Sequence, residues 1–202
     1  MANDGINEET GTMPGKLIIF SAPSGSGKTT LVRHLLKSLK GLRFSVSATS
    51  RPPRDNEVHG KDYYFLSGES FREKIEQGAF LEWEEVYPGQ YYGTLRSEVD
   101  GLLEQGFHVL FDIDVEGGLN LKRYYGVRAL AVFVRPPSLE VMEERLRARG
   151  TDDEEQLKKR LKKAGKEMEY ASQFDRILVN DQLDEARREA VSLVRRFTTL
   201  HP

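Results

Sequence analysis

The segment from residue 16 to residue 40 constrains the fold more than any other part of the sequence. Residues 16–20 form a short apolar run of the kind found in buried strands. A turn rich in Ser, Gly and Pro follows, and over residues 29–40 leucines recur at the spacing of one helix face. Because a strand, a glycine-rich turn and a helix in this order open an α/β fold, the segment predicts an α/β protein.

The rest of the chain repeats this alternation. Further apolar runs of buried-strand type lie at residues 109–114, 129–134 and 176–180. Helical patterns lie at residues 97–105, 138–149, 153–170 and 183–197. Continuous apolar strands that alternate with helices predict a parallel sheet covered on both faces, which is a three-layer core.

The stretch from residue 44 to about residue 92 has a different character. It is rich in Ser, Thr, Tyr, Gly and Pro, and its apolar residues alternate in short runs such as residues 62–66. This pattern predicts a small lobe of mixed or antiparallel strands, inserted after the first helix.

Composition excludes several classes of function. The 202 residues contain no cysteine, which excludes disulfides, thiolate zinc sites and thiol nucleophiles, and the four histidines have no metal-binding spacing. A net charge of −2 and the lack of a basic groove argue against nucleic acid as a partner. Residues 1–15 are polar, unlike a secretory signal, and no apolar run is long enough to span a membrane. We therefore expect a cytoplasmic protein with a flexible tail at residues 1–15.

Residues 22–29, Ala-Pro-Ser-Gly-Ser-Gly-Lys-Thr, fit the phosphate-loop (P-loop) pattern with Ala in place of the first Gly. Small residues let successive backbone N–H groups wrap a phosphate, and the helix that follows points its positive end at it. Lys28 would then reach the β- and γ-phosphates, and the Thr29 hydroxyl would ligate Mg²⁺ together with the nucleotide phosphates. An ordinary glycine-rich turn is the alternative, but the flanking strand and helix favour the P-loop.

Asp112 and Asp114 end the apolar run at residues 109–114, where ligands of open α/β sheets bind. They would support Mg²⁺ through water or contact a substrate, unless they are merely solvated. Asp114 and Gly117 also fit the Asp-x-x-Gly of a GTPase switch. The Asn-Lys-x-Asp motif that a GTPase needs for its base is absent, since residues 180–184 lack the Lys.

Two arginines in the predicted lobe have the pattern of a phosphate site. Arg51 and Arg54 flank a Pro pair, which stiffens the backbone that presents them. Two rigidly held guanidinium groups suit a phosphate monoester, and Tyr63 and Tyr92 would add hydroxyl donors. The alternative is a surface turn with incidental arginines.

Glu82 lies between Leu81 and Trp83 on a predicted, partly buried strand. Its carboxylate would accept the adjacent N1–H and N2–H₂ donors of guanine, a pair that adenine lacks. The alternative is a solvent-facing acid like its neighbours Glu84 and Glu85. We predict Trp83 to be a core residue rather than a stacking platform.

Arg145 and Arg149 lie four apart on one predicted helix face, and Arg160 lies on the next helix. Arginines that close over a transferred phosphoryl group would stabilise its charge. For the neighbouring lysines we predict an ordinary solvated face; they are Lys158, Lys159, Lys162 and Lys163.

With these residues the sequence resembles the guanylate kinase family, the ATP:GMP phosphotransferases of the nucleoside-monophosphate kinase group. The resemblance runs from about residue 16 to residue 197, and its motifs are collinear. Beyond Arg145, they lie at residues 21–29, 47–54, 60–63, 80–83, 91–94, 112–114, 149–151 and 179–181. The departures are small: Ala22 replaces Gly, Ala48 replaces Ser or Thr, and Glu116 replaces Gln.

The resemblance implies one domain, residues 16–202, with three parts. These are a core (16–44, 97–135 and 169–202), a GMP-binding lobe (45–96) and a helical lid (136–168). It implies a monomer or small homo-oligomer that acts on ATP and GMP, gives ADP and GDP, needs Mg²⁺, and binds no nucleic acid or membrane.

The resemblance also implies residue roles. The GMP site would comprise Ser47, Arg51, Arg54, Tyr63, Glu82, Tyr92, Thr94, Asp112 and Asp114. The ATP site would comprise Ala22, Pro23, Ser24, Gly25, Ser26, Gly27, Lys28, Thr29, Thr30 and, near the adenine, Asn180. The catalytic residues would be Lys28, Arg145, Arg149 and Arg160.

Two other classes of protein stay open at this point. One is another small-molecule kinase on the same core, of adenylate or gluconate type, against which Glu82 and the Arg51–Arg54 pair argue. The other is a non-catalytic guanylate-kinase-like binding module, and such modules typically lose the P-loop or the lid arginines that this chain keeps.

Overall fold

The computed structural model describes residues 14–149 and 154–199. Most of the tail predicted for residues 1–15 lies outside the described residues. Gly15 lies inside them, and its backbone N–H donates a 2.7 Å hydrogen bond to the carbonyl of Leu103.

The described residues form strands and helices that alternate along most of the chain. The strands are β1 (Leu17–Ser21), β2 (Leu42–Phe44), β3 (Ala48–Thr49), β4 (Tyr64–Phe65), β5 (Phe80–Tyr87), β6 (Gln90–Leu95), β7 (His108–Ile113), β8 (Ala129–Arg135) and β9 (Arg176–Val179). The helices are α1 (Lys28–Ser38), α2 (Gly68–Glu76), α3 (Arg96–Glu104), α4 (Val115–Tyr125), α5 (Leu139–Arg149), α6 (Glu154–Glu169) and α7 (Leu183–Thr199).

A five-stranded sheet of order β2-β7-β1-β8-β9 forms the centre of the molecule, and its strands are all parallel. Strand β1 lies in the middle and is buried along its whole length. The predicted α/β class with a parallel core sheet is therefore confirmed.

The core divides into two apolar clusters, one on each face of this sheet, because successive strand residues point to opposite faces. Leu17 and Ile19 of β1 face α3 and α4, which contribute Val99, Leu103 and Leu119. On the opposite face, β1 packs with helices α1 and α7 through buried side chains that include Ile18, Phe20, Leu31, Leu35, Ala190 and Val194. Both ends of the P-loop are thus anchored in a packed core.

A second, four-stranded sheet of order β4-β3-β6-β5 forms the predicted small lobe. It is mixed: β3 pairs parallel with β4 and antiparallel with β6, which pairs antiparallel with β5. Helix α2 covers it through Phe71, whose ring stacks on Phe80 and Tyr91.

Three elements escaped the sequence prediction, and each has a local reason. Helix α2 has nine residues and two large apolar side chains, Phe71 and Ile75, which are too few for a helical pattern to stand out in that polar stretch. Helix α4 contains Gly117 and Gly118, which have low helix propensity. Strand β2 has three residues, too few for a pattern.

Helices α5 and α6 pack on each other through a small cluster that includes Met142, Leu146 and Leu157. Met142 and Leu146 also lie against the P-loop, since a Cβ placed on Gly25 would be 3.1 Å from each of them. The helix pair therefore sits directly beside the P-loop. Within residues 14–149 and 154–199, the helices are all too short or too polar to cross a bilayer.

Candidate active site

The loop between β1 and α1 has the geometry of an anion site. Gly25 and Gly27 adopt φ angles of 93° and 84°, a region that favours glycine. Gly27 precedes α1 at the capping position and has no side chain to cap the helix, and the first turn carries no acidic residue. The helix dipole and the first N–H groups therefore favour an anion at this end.

Asp112, at the end of β7, holds the two reactive side chains of this loop. Its Oδ1 lies 2.7 Å from Lys28 Nζ, and its Oδ2 accepts a 2.9 Å hydrogen bond from Thr29 Oγ1. Lys28 also donates to the Ile113 carbonyl. The parallel register pairs Phe20 of β1 with Asp112, so the carboxylate lies next to the P-loop by construction of the sheet.

A cleft of about 370 Å³ lies on the P-loop. The loop, Asp112 and Asp114 form one wall, and Arg160, Lys163 and Glu167 of α6 form the other. Arg160 Nη1 lies 3.4 Å from Ser24 Oγ. The P-loop cleft therefore lies between the edge of the sheet and helix α6.

The other predicted lid arginines lie on α5. Arg145 donates a 3.1 Å hydrogen bond to the Asn180 carbonyl, and its Nη1 is buried without a hydrogen-bond partner among the residues described. Arg149 is the last residue of α5, and its side chain lies outside the described part of the structure.

Asn180 lies behind the P-loop rather than on its open side. It is 3% exposed, and its Nδ2 donates a 2.7 Å hydrogen bond to the Ser26 carbonyl. In this structure, its amide supports the loop backbone.

A second cavity, of about 620 Å³, adjoins the first and shares Asp114, Lys163 and Glu167 with it. Glu82 lines this cavity and accepts a 2.6 Å hydrogen bond from Thr94 Oγ1 through Oε1. Burial raises the pKa of Glu82, and the nearby carboxylates of Asp114 and Glu84 raise it further, while the Thr94 hydrogen bond opposes the shift.

Asp114 joins the two cavities. It caps α4, since its Oδ1 accepts a 2.9 Å hydrogen bond from Gly117 N, and its carbonyl accepts one from Ser21 Oγ. The structure thus brings Glu82, Thr94 and Asp114 together. Ser47 is half-buried at the start of β3, where its carbonyl pairs with Tyr64 N.

Arg51 is at the centre of a polar and aromatic cluster in the lobe. Its Nε donates a 3.2 Å hydrogen bond to the Tyr92 hydroxyl, and its guanidinium lies 5.0 Å from the centroid of the Tyr63 ring. The Tyr63 and Tyr92 rings are 6.0 Å apart. Arg54 is exposed on the same turn.

Two residues that the sequence analysis did not single out belong to these sites. Glu57 forms an ion pair with Arg51, with Nη1 2.6 Å from Oε2. Glu167 is largely buried between the two cavities, and burial raises the pKa of its carboxyl against the opposing effect of Lys163. The spacing of Arg160, Lys163 and Glu167, three and then four residues, is the signal that would have placed Glu167 on the same helix face.

One prediction was wrong and another was incomplete. Trp83 is 47% exposed and lines the second cavity beside Glu82, so it is not a core residue. Strand β5 borders this cavity. The alternating pattern of a strand does not show whether an apolar side chain will line a cavity or pack in a core. Lys163 has a largely solvated side chain, as predicted, but it also lines both cavities.

A P-loop that opens toward an adjoining polar cavity, with the basic helix α6 lining both, is the arrangement of a nucleotide kinase. Comparison with known proteins specifies the family. The family model described as guanylate kinase matches residues 14–196.

Curated relatives and solved structures agree with that match. The chain is 55% identical over 185 residues to the guanylate kinase of Bacteroides thetaiotaomicron, covering 92% of this chain and 91% of the relative. It is 54% identical over 169 residues to that of Porphyromonas gingivalis, covering 83% and 90%. The crystal structure of guanylate kinase from Anaplasma phagocytophilum superposes with a TM-score of 0.69 at 28% identity, covering 93% of this chain and 88% of that one.

The chain belongs to the guanylate kinase family, so the resemblance inferred from its motifs is confirmed. It is a nucleoside-monophosphate kinase, and ATP:GMP phosphotransfer is the reaction of this family.

Proposed function

We propose that this kinase transfers the γ-phosphoryl group of ATP to GMP in a single in-line step, giving ADP and GDP. An oxygen of the GMP phosphate attacks the γ-phosphorus, and the bond to the β–γ bridging oxygen breaks as ADP leaves. One observation carries this assignment: the P-loop cleft and the cavity of Glu82 share Asp114, Lys163 and Glu167, so a donor and an acceptor bound there would meet.

On the donor side, Lys28 would contact the β- and γ-phosphates, and the P-loop backbone from Ala22 to Thr30 would hold the triphosphate. The position of Lys28, beside Asp112 and at the start of α1, supports its proposed contact with the phosphates. Arg145, Arg149 and Arg160 would stabilise the charge on the moving group, which the 3.4 Å approach of Arg160 to Ser24 supports. We assign Asn180 to the ATP side as well, as predicted from the resemblance.

On the acceptor side, Arg51, Arg54, Tyr63 and Tyr92 would bind the GMP phosphate. Tyr92 accepts a hydrogen bond from Arg51, so its own hydroxyl hydrogen stays available for an anion.

The guanine would be recognised at the other end of the lobe by Ser47, Glu82, Thr94 and Asp114. The hydrogen bond from Thr94 uses one lone pair of Glu82 Oε1. The carboxylate therefore keeps lone pairs on both oxygens that can accept from N1–H and N2–H₂. Asp112 would support the reacting phosphates from the sheet edge.

Mg²⁺ fits the residues at the P-loop. Thr29 Oγ1 and the Asp112 carboxylate adjoin, and hard oxygen ligands of this kind suit Mg²⁺. Within the described ranges no group of three or more His, Cys, Asp or Glu is arranged to hold a metal. Thr29 would therefore hold the ion together with the nucleotide phosphates, whose charge it would neutralise.

We further propose the division predicted above: core 16–44, 97–135 and 169–202, lobe 45–96 and lid 136–168. The separate second sheet and the α5–α6 pair support it. Closure of lobe and lid over the substrates would exclude water that would otherwise hydrolyse ATP. A cytoplasmic protein, monomeric or a small homo-oligomer, agrees with these soluble substrates.

The test is ADP release with ATP and Mg²⁺, with GMP, AMP, CMP, UMP or gluconate in separate reactions. Turnover with GMP alone is expected, and Lys28→Met, assayed alongside, controls for contaminating kinases. Turnover with AMP or gluconate instead would overturn the guanine assignment. A folded protein that binds GMP but releases no ADP in any reaction would be a binding module.

A further inference from the structure

Glu57 has a contact pattern that the proposed roles leave unexplained. It lies six residues after Arg51 and three after Arg54, in the turn that follows the Pro pair. Its two carboxylate oxygens bind the Arg51 guanidinium in a fork, Oε2 to Nη1 at 2.6 Å and Oε1 to Nη2 at 2.7 Å. This bidentate geometry is the strongest and most directional form of an ion pair.

The remaining contacts of Arg51 leave its guanidinium in one orientation. Nε donates to the Tyr92 hydroxyl, and Nη1 also donates to the Pro52 carbonyl at 3.0 Å. The plane lies over the Tyr63 ring. Within the described part of the chain, one hydrogen of Nη2 is left without a partner, and an incoming phosphate can take it.

The same carboxylate also fixes the backbone that presents the second arginine. Glu57 Oε2 accepts a 2.8 Å hydrogen bond from Arg54 N, and Glu57 N donates a 3.0 Å hydrogen bond to the Arg54 carbonyl. One side chain therefore connects the guanidinium of Arg51 to the turn that carries Arg54.

The ion pair between Glu57 and Arg51 is largely shielded from solvent, and the Glu57 carboxylate stays ionised. The side chains of Arg51 and Glu57 are 10% and 19% exposed. The hydrogen bonds from Arg51 and from the Arg54 backbone lower the pKa of Glu57 to about 2. The carboxylate therefore remains charged throughout the neutral range in which a kinase acts.

We infer that Glu57 is a positioning residue for the acceptor phosphate, holding Arg51 and the Arg54 turn in the geometry that binds a phosphate monoester. This inference rests on the proposed function, since it takes the phosphate to be that of GMP. In the alternative role, Glu57 would be a placeholder that occupies Arg51 until the phosphate displaces it. Removing a positioning residue raises the KM for GMP, whereas removing a placeholder lowers it.

The test compares Glu57→Gln with Glu76→Gln, a matched change at an exposed position of α2 in the same lobe. We expect E57Q to raise the KM for GMP about tenfold, with kcat and the KM for ATP within twofold of wild type. E76Q is expected to match wild type. Glu57→Asp, which keeps the charge, is expected to recover part of the loss.

A double-mutant cycle separates positioning from general stability. In an Arg51→Ala background, E57Q is expected to raise the KM for GMP by no more than threefold, because most of what Glu57 positions is then gone. An unchanged or lower KM for GMP in E57Q would overturn the inference. So would a tenfold effect that persists in the R51A background. If wild type itself fails to use GMP, the proposed function fails, which is a separate result.

Discussion

The side-chain amide of Asn180 donates a 2.7 Å hydrogen bond to the backbone carbonyl of Ser26, which joins the end of β9 to the P-loop. The two residues are 154 positions apart in the sequence. Asn180 is buried against the loop and supports its backbone. The proposed contact with adenine is a different role, and the two roles can be tested separately.

We expect Asn180→Ala to weaken binding of ATP and of inorganic triphosphate by a similar factor, about tenfold. Without the amide, the Ser26 carbonyl is left unpaired in a buried site, which costs about 1–3 kcal/mol. Inorganic triphosphate has no base, so titration calorimetry with both ligands distinguishes the roles. Gln182→Ala, at an exposed neighbouring position, is the control. A loss confined to ATP would assign Asn180 to adenine alone.

Gly27→Ala tests the packing of the same contact from the other side. Gly27 has a φ of 84°, and a Cβ there would collide with the Asn180 amide. Gly78 has a φ of 64°, and a Cβ there would meet nothing within 4 Å, so Gly78→Ala carries the backbone strain alone. Gly78→Ala is expected to lose about 1–2 kcal/mol of unfolding free energy in urea denaturation. Gly27→Ala is expected to lose more, because the collision with Asn180 adds to the same backbone strain.

Only Gly27→Ala is expected to lose ATP affinity as well, by more than tenfold, because the collision displaces the P-loop backbone. Equal ATP affinity in the two variants would show that the loop tolerates the displacement and does not need this contact.

Lys28→Met is expected to reduce kcat by about a thousandfold, since it removes the cation that we propose to contact the transferred group. The matched control is Lys159→Met on α6, where the side chain is 73% exposed and pairs with Glu155. Circular dichroism and thermal melts should show both variants folded. A kcat for Lys28→Met within tenfold of the control would contradict the assignment of the P-loop.

The pH dependence of GMP use should follow Glu82. Burial raises its pKa, so on acidification it takes up a proton at a higher pH than an ordinary glutamate and would lose the acceptor pair proposed for guanine. We expect kcat/KM for GMP to fall as pH falls through this range, with the KM for ATP unaffected.

Two variants test that origin. Glu82→Gln should remove the acidic limb and raise the KM for GMP at every pH. Thr94→Val removes a hydrogen bond that lowers the pKa of Glu82, so the limb should move to higher pH. A limb that stays in place in both variants would come from another group.

The raised pKa also affects stability. The contribution of Glu82 to the unfolding free energy decreases as pH rises through the folded-state pKa of its carboxyl.

The second sheet shows how much a local sequence pattern can predict and what it cannot. The short alternating runs within residues 44–92, such as residues 62–66, predict a small lobe of mixed or antiparallel strands, and a mixed sheet is present there. The same alternation could not say that Trp83 lies at a cavity, because a strand pattern distinguishes two faces but not what covers each of them.

By itself, the sequence determined the parallel α/β core, the P-loop and the family. Strands buried on both faces are apolar throughout, and a P-loop concentrates its chemistry in adjacent residues, so both features are local. Only the tertiary structure decided that Asn180 supports Ser26, that Glu57 holds Arg51, and that Lys163 and Glu167 face both cavities. Those relationships depend on which elements pack together, and the spacing of polar residues along one element does not show which other element they will contact.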